Sequence, residues 1–362
     1  MLPNFKDKYE HPLYKHCKEE DADAIAWAFV NREKMVKFPF KFPELKPYEI
    51  RADILYAGLC HTDYFMINSY LPESLFPIVP GHEIIAKVSK LGSDVKNFKV
   101  GEIVGFGTHR SCCHECHLCK QKMDNLCENE KDPLTFGLHF GGYCTQLQQP
   151  ADHFIKLPKN IDPKKSAPLF CAGCTMFDPI LRYGKTGMKT AVIGVGGLGH
   201  LGIIFLKKMG YNVTAITSSH KKDELIKKLG ADHILISSDL KQMEENKSKF
   251  DMILNTIPIH ENYERYIKLT AKLGYFIQIG AATEDPKIPL LHIIENEVKV
   301  VGINGGRLEA CQKVAEFAAK NNAYPICEEF SFEDFPKAYG RMSKENPKFR
   351  VVVNVQDYFK KK

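Results

Sequence analysis

The chain has no apolar run approaching the ~18 residues that a membrane-spanning helix needs. Its opening MLPNFKDKYEHPLYKHCKEED is charged and lacks the apolar stretch of a signal peptide. No membrane partner is therefore expected, and the expected location is cytoplasmic, where thiols stay reduced. Neither sign of charge dominates: 50 Lys and Arg face 44 Asp and Glu, for a net charge of +6. No basic run precedes the terminal Lys360-Lys361-Lys362, which reads as a solvated tail, so no nucleic-acid partner is expected. Internal repeats and low-complexity stretches are absent. What is present is ordinary for a folded protein, with 44% hydrophobic and 26% charged residues among 362. That length accommodates two domains of ~100–200 residues.

Twelve cysteines in a reduced compartment call for another explanation, and five of them fall between positions 112 and 127. Read from Cys113 the spacing is C-x2-C-x2-C-x7-C, through Cys116 and Cys119 to Cys127. Four thiolates on such short spacers close a tetrahedron around zinc and leave no position for substrate, so the site would be structural. The competing reading is disulfides or idle thiols. Cys112 is left over, with His114 and His117 as substitute ligands. Elsewhere Cys60 sits in GLCHTD, His82 and Glu83 in GHE, and Cys171 in APLFCAG. A Cys/His/Cys set could hold a catalytic zinc with an open fourth position. On spacing alone it stands beside the plainer reading of small buried thiols.

Residues 190–195, TAVIGV, read as a buried strand, followed by GVGGLG at 194–199 and by HLGIIFLKKMG with helical periodicity ending in glycine. YNVTAIT at 211–217 is a second strand. This is the setting a dinucleotide-binding glycine motif requires. Gly194 permits the turn, Gly196 lets backbone approach a pyrophosphate, and Gly199 lets helix pack on strand. Gly197 and Leu198 complete the loop at the helix N-terminus, where free N–H groups meet phosphate. After the second strand come Thr217, Ser218, Ser219, His220, Lys221 and Lys222, with no acid until Asp223. Hydroxyls and a lysine suit a 2′-phosphate, which favours NADP(H); Ser219 also suits a helix N-cap. Short apolar runs continue through 231–303 with helical stretches such as ENYERYIKLTAKLG between them, predicting a doubly wound parallel α/β sheet. Residues 21–165 instead show short β-rich runs broken by Gly and Pro, as in a small β-barrel. The strand KFRVVVNV, 348–355, is expected to return to that first domain.

Together AGLCHTD, VPGHE, the four-cysteine lobe, APLFCAG, IGVGGLGHLG, ITSSHKK and KFRVVVNV resemble the zinc-dependent medium-chain alcohol dehydrogenases, most closely their cinnamyl alcohol dehydrogenase branch. The resemblance runs from about Ala24 to Val355. It implies a GroES-like β-barrel catalytic domain over 21–168 and 306–362, carrying the zinc lobe at 112–127, and a Rossmann NADP-binding domain over 169–305. It further implies two zinc ions per chain, an aldehyde or primary alcohol as small-molecule substrate, and a homodimer formed through the Rossmann domains. Cys60, His82 and Cys171 would hold the catalytic zinc, Glu83 would occupy its open position at rest, and Asp63 would orient His82. Thr62 would begin a proton relay, His61 would lie near the pyrophosphate, and Thr175 near the nicotinamide. Thr217, Ser218, Ser219 and Lys222 match the family's NADP-selecting stretch.

One position departs from the family: the relay histidine five residues after the first zinc ligand is Phe65, and a phenyl ring carries no proton. Residues 1–20 form an N-terminal extension outside the resemblance, which fits either a tether onto an assembly partner or a disordered arm. Two alternatives to an aldehyde reductase follow. One is a dehydrogenase-like structural subunit of a larger assembly, and the other a reductase of C=C or iminium bonds. A zinc-independent quinone reductase fits poorly, because such enzymes lack both metal sites.

Overall fold

The computed structural model describes residues 10–70, 75–258, 263–281, 285–345 and 347–359. Residues 1–9 of the N-terminal extension and the Lys360–Lys362 triplet lie outside them. The chain divides into two compact units. The first comprises Met1–Cys171, Gly306–Ala319 and Tyr324–Lys362, and the second Ala172–Gly305 with Lys320–Ala323. No helix among the described residues is long and apolar enough to cross a membrane.

The second unit is a six-stranded parallel sheet in the order His233–Ile236, Asn212–Thr217, Lys189–Ile193, Phe250–Asn255, Thr270–Gln278, Lys299–Gly302. Strand order reverses between Lys189–Ile193 and Phe250–Asn255, and open α/β sheets bind ligands at such a point, beyond the carboxyl ends of the strands. The inner strands are near-continuous apolar runs because helices cover both faces. Helix Gly199–Lys208 carries the predicted periodicity, and Gly210 follows it at φ +85°.

One stretch departs from expectation. Of the segment 261–274, predicted helical, the described residues from 263 form a helix over Tyr263–Ile267 and strand from Thr270 onward. Thr270 pairs with Phe250, Leu273 takes φ +61°, and Tyr275 then pairs with Met252. Pairing with a buried strand outweighs the helical preference of Ala, Lys and Leu, since tertiary context overrides local propensity.

The first unit holds a seven-stranded sheet in which Glu49–Leu59 is the hub. It pairs antiparallel with Ile84–Leu91, Gln146–Pro150 and Arg350–Asn354. The C-terminal strand thus returns to this unit, with Val351 opposite Leu59 and Val353 opposite Ala57. A three-stranded sheet of Lys15–His16, Met35–Lys41 and Ala24–Phe29 completes it. Residues 10–20 are therefore no free arm: Tyr14 is 3% exposed and belongs to the same apolar core as Phe38, Phe40 and Phe140.

Candidate functional site

Strand Glu49–Leu59 ends at Cys60, which caps the short helix His61–Phe65. The cap is reciprocal, because the Thr62 N–H donates to Cys60 Sγ at 3.5 Å and the Cys60 N–H donates to Asp63 Oδ2 at 3.3 Å. His82 and Glu83 lie just before strand Ile84–Leu91, and Cys171 closes the 3₁₀ turn Ala167–Phe170. Donor atoms of Cys60, His82, Glu83 and Cys171 all fall within 4.8 Å of one another, and the two sulfurs are 3.9 Å apart. That separation is far beyond a disulfide bond.

His82 is fully buried, and its Nδ1 meets Asp63 Oδ1 at 2.8 Å. Its Nε2 has no hydrogen-bond partner among the described residues, and neither has Glu83 Oε2. Two buried polar atoms without partners, facing a pair of thiols, are what a bound cation would satisfy. Imidazole and thiolate together suit zinc. The hydrogen bond with Cys171 holds the Cys60 thiol well below the ordinary cysteine range, against the effect of burial. Burial presses the His82 imidazole down, but the charge and hydrogen bond of Asp63 carry it above the ordinary histidine value.

Asp63 is saturated, with Oδ1 also accepting from the Gly81 N–H at 3.1 Å and Oδ2 from the Tyr143 hydroxyl. Burial pushes the Glu83 carboxyl up to about 7, opposed by the Arg350 guanidinium that donates to Oε1. Tyr143 and Arg350 are site residues that sequence reasoning passed over. Arg350 stands inside the quoted KFRVVVNV, but nothing in that string says its side chain reaches Glu83. Thr62 is exposed, with Oγ1 3.4 Å from Cys60 Sγ. His61 is exposed beside it, and Phe65 ends the helix.

Cys113, Cys116, Cys119 and Cys127 form a second cluster with all sulfurs within 4.8 Å. Main-chain N–H groups point into it: Cys113 to Cys127 Sγ at 3.2 Å, Cys116 to Cys113 Sγ at 3.3 Å, Cys119 to Cys116 Sγ at 3.4 Å. Donors aimed at sulfur favour thiolates, as a metal requires. The substitutes look elsewhere, His114 toward Asp152 at 2.6 Å and His117 toward Glu128 at 3.3 Å.

In the second unit the glycine-rich turn follows strand Lys189–Ile193. Gly194 takes φ +85°, and a Cβ there would lie 2.5 Å from Ile257 Cγ2. A Cβ on Gly199 would lie 1.8 Å from the Gly194 carbonyl oxygen, whereas one on Gly196 would meet nothing within 4 Å. Gly197 and Leu198 lie between, half-buried. The open face at Gly196 is the space a pyrophosphate needs. Lys222 Nζ donates to the Val195 carbonyl at 3.1 Å, which places its ammonium over this turn. Thr217 ends its strand, exposed Ser218 and half-buried Ser219 follow, and the first acid, Asp223, is engaged by His220 at 2.8 Å. Ser219 holds the N-cap position of the His220–Lys222 turn without a side-chain capping bond. Thr175 sits on helix Ala172–Tyr183, close against Gly305.

Comparison with known proteins agrees with this geometry. The family model of the alcohol dehydrogenase GroES-like domain matches residues 46–159, and that of the zinc-binding dehydrogenase matches residues 197–320. The chain is 33% identical to an aldehyde reductase of a Synechocystis strain over 89% of its length and 95% of the other. It is 34% identical to a cinnamyl alcohol dehydrogenase of Arabidopsis thaliana over 89% and 92%. Among solved structures it is similar to a cinnamyl alcohol dehydrogenase of Sorghum bicolor, with TM-score 0.86 and 29% identity over 92% and 98% of the two chains. It is also similar to the Helicobacter pylori enzyme complexed with NADP(H), with TM-score 0.83 and 28% identity over 92% and 98%.

Proposed function

Since the chain belongs to the zinc-type medium-chain alcohol dehydrogenases, on their cinnamyl alcohol dehydrogenase-like branch, and is an enzyme of aldehyde and alcohol oxidoreduction, we propose that it is a zinc- and NADP(H)-dependent aldehyde reductase with an atypical proton route. The observation that carries this reading is the buried donor set of Cys60, His82 and Cys171 with His82 Nε2 unpartnered. This set would hold zinc, which would supply a Lewis acid, and the glycine-rich turn would hold the pyrophosphate of NADPH, whose nicotinamide would supply the hydride.

Each residue then has a task. Asp63 fixes the tautomer and aim of His82, and Tyr143 fixes Asp63. Glu83 offers Oε2 toward the ligand set at rest, while Arg350 keeps hold of Oε1. Lys222, Ser218, Ser219 and Thr217 receive the 2′-phosphate, which a carboxylate would repel. His61 and Thr175 contact the pyrophosphate and nicotinamide by family likeness. The Thr62 hydroxyl, beside Cys60, hands a proton to the nascent alcohol oxygen and is replenished by water, because Phe65 can neither accept nor donate. Cys113, Cys116, Cys119 and Cys127 hold a second, structural zinc.

A homodimer is supported by exposed Leu290, Leu291 and Ile294 on the helix leading into the edge strand Lys299–Gly302. Unpaired strand edges beside apolar surface invite a partner. The test of the function is NADPH oxidation by zinc-loaded protein against aromatic and aliphatic aldehydes. Turnover on the order of 1 s⁻¹ or faster supports the reading. Phe65 favours a second reading, reduction of C=C or iminium bonds, and turnover confined to those substrates would replace the first.

A further inference from the structure

We infer that residues 11–16 brace the candidate metal site, with Tyr14 as a positioning residue that holds the 132–143 loop against His82 and Asp63. The inference rests on the reading of Cys60, His82 and Cys171 as the catalytic ligands.

The segment is built to drive one ring inward. His11 Nδ1 accepts the N–H groups of Leu13 at 3.1 Å and Tyr14 at 3.3 Å, forming a tight turn. Lys15–His16 then pairs with Met35–Lys41, and the Cys17 N–H donates to Pro39 O at 3.1 Å. Between these anchors the Tyr14 ring stacks on Phe140 at 4.1 Å and 13°, with the His11 ring on the same phenyl at 4.6 Å. The Tyr14 hydroxyl accepts the Phe140 N–H at 3.2 Å and donates toward His139 Nδ1 at 3.4 Å.

Three links run from that clamped loop to the ligand set. First, the main chain after Phe140 is zipped onto the residues just before His82. Gly141 N–H donates to Val79 O at 2.7 Å, Gly142 to Gly81 O at 2.8 Å, and Tyr143 to Pro80 O at 2.9 Å. Gly81, at φ +104°, lets the two strands approach, since a Cβ there would lie 2.7 Å from Tyr143 Cδ1. Second, the Tyr143 hydroxyl donates to Asp63, the partner of His82 Nδ1. Third, Phe136 stacks on the His82 ring at 5.8 Å and 27°. A metal-binding imidazole works within a narrow range of position and tilt, and supporting contacts set that range.

The experiment uses the full chain with cobalt replacing zinc. It reads the visible d–d bands of the Cys60-dependent site, metal loss to a chelator at both sites, and kcat and KM separately. Tyr14→Ala is expected to shift the d–d bands and speed metal loss from the Cys60 site by about tenfold. Metal at the four-cysteine site should be retained as in the parent. Tyr14→Phe, which keeps the stacked ring, should move both readouts in the same direction by a smaller amount, and it carries the test if Tyr14→Ala does not fold. Unchanged bands and unchanged metal loss in a folded Tyr14 variant overturn the brace. A parent spectrum insensitive to Cys60→Ser overturns the ligand reading instead, and the brace with it.

Discussion

Arg350 donates to Glu83 from a strand 267 positions away in sequence, and both side chains are buried. The same guanidinium donates to the Leu59 carbonyl at 3.2 Å, the residue before Cys60. One side chain therefore ties together the C-terminal strand, the hub strand and the carboxylate next to His82. Removing one partner of a buried ion pair strands the other's charge or forces it to neutralise, at a cost of about 3–5 kcal/mol. Arg350→Met should lower unfolding free energy by that order in urea titrations. Pairing it with Glu83→Gln should recover part of the loss, because no charge is then stranded.

Metal content separates the two clusters. The parent protein should carry two zinc ions per chain by elemental analysis. Cys60→Ser should carry one and lose turnover while remaining folded. Cys116→Ser should also carry one, but with a lower melting temperature, since that cluster knits its own lobe. A parent with one zinc that Cys60→Ser retains would remove the catalytic assignment.

Cofactor choice should respond to Lys222. Lys222→Ala removes a charge-assisted contact, so NADPH affinity should fall about tenfold, near 1.4 kcal/mol, with NADH little changed. Equal losses for both nucleotides in fluorescence titrations would mean that the 2′-phosphate is read elsewhere.

Phe65→His restores a group able to pass protons. Aldehyde reduction should accelerate several-fold, most at high pH where solvent protons are scarce. A flat ratio of variant to parent across pH 6–9, taken as an order-of-magnitude working range, would mean that water already completes the route.

Acid should weaken the first unit. Burial pushes His109 down to about 4, and burial aided by Arg110 and Lys46 pushes His139 down to about 3. Unfolded histidine titrates near ~6.5, so below that pH the unfolded chain binds protons that the native one refuses. Stability is therefore fully present above pH ~6.5 and lost toward pH ~4, at about 1.4 kcal/mol per pH unit for each group. His109→Gln should flatten that limb in urea titrations run between pH 7 and 5, relative to the parent.

The nucleotide-binding half was legible in the sequence for a physical reason. Its inner strands are buried on both faces, so each is a continuous apolar run, and the turn after the first demands glycine at Gly194 and Gly199. Legibility failed at Thr270, where helix-forming residues are recruited as strand by a neighbour in space. The four-cysteine lobe was legible because its ligands are local. The other set was not, on spacing alone, because Cys60, His82 and Cys171 come from separate segments that only the fold brings together. Tyr143, Arg350 and Tyr14 lay beyond sequence reasoning because their roles exist only through contacts with distant residues. Around Tyr14 the lysines and acids hid a ring that turns inward.

The two glycines of the nucleotide turn answer to different constraints. A methyl group at Gly199 would strike the Gly194 carbonyl whether or not anything is bound, while one at Gly196 would meet only empty space. Selection for a stable chain would thus preserve Gly199 and be blind to Gly196, whose identity, on the proposed reading, only the dinucleotide enforces. A library of variants sorted by solubility or heat resistance would accumulate side chains at Gly196 and pass them as sound, though each would stand where the proposed function puts the dinucleotide.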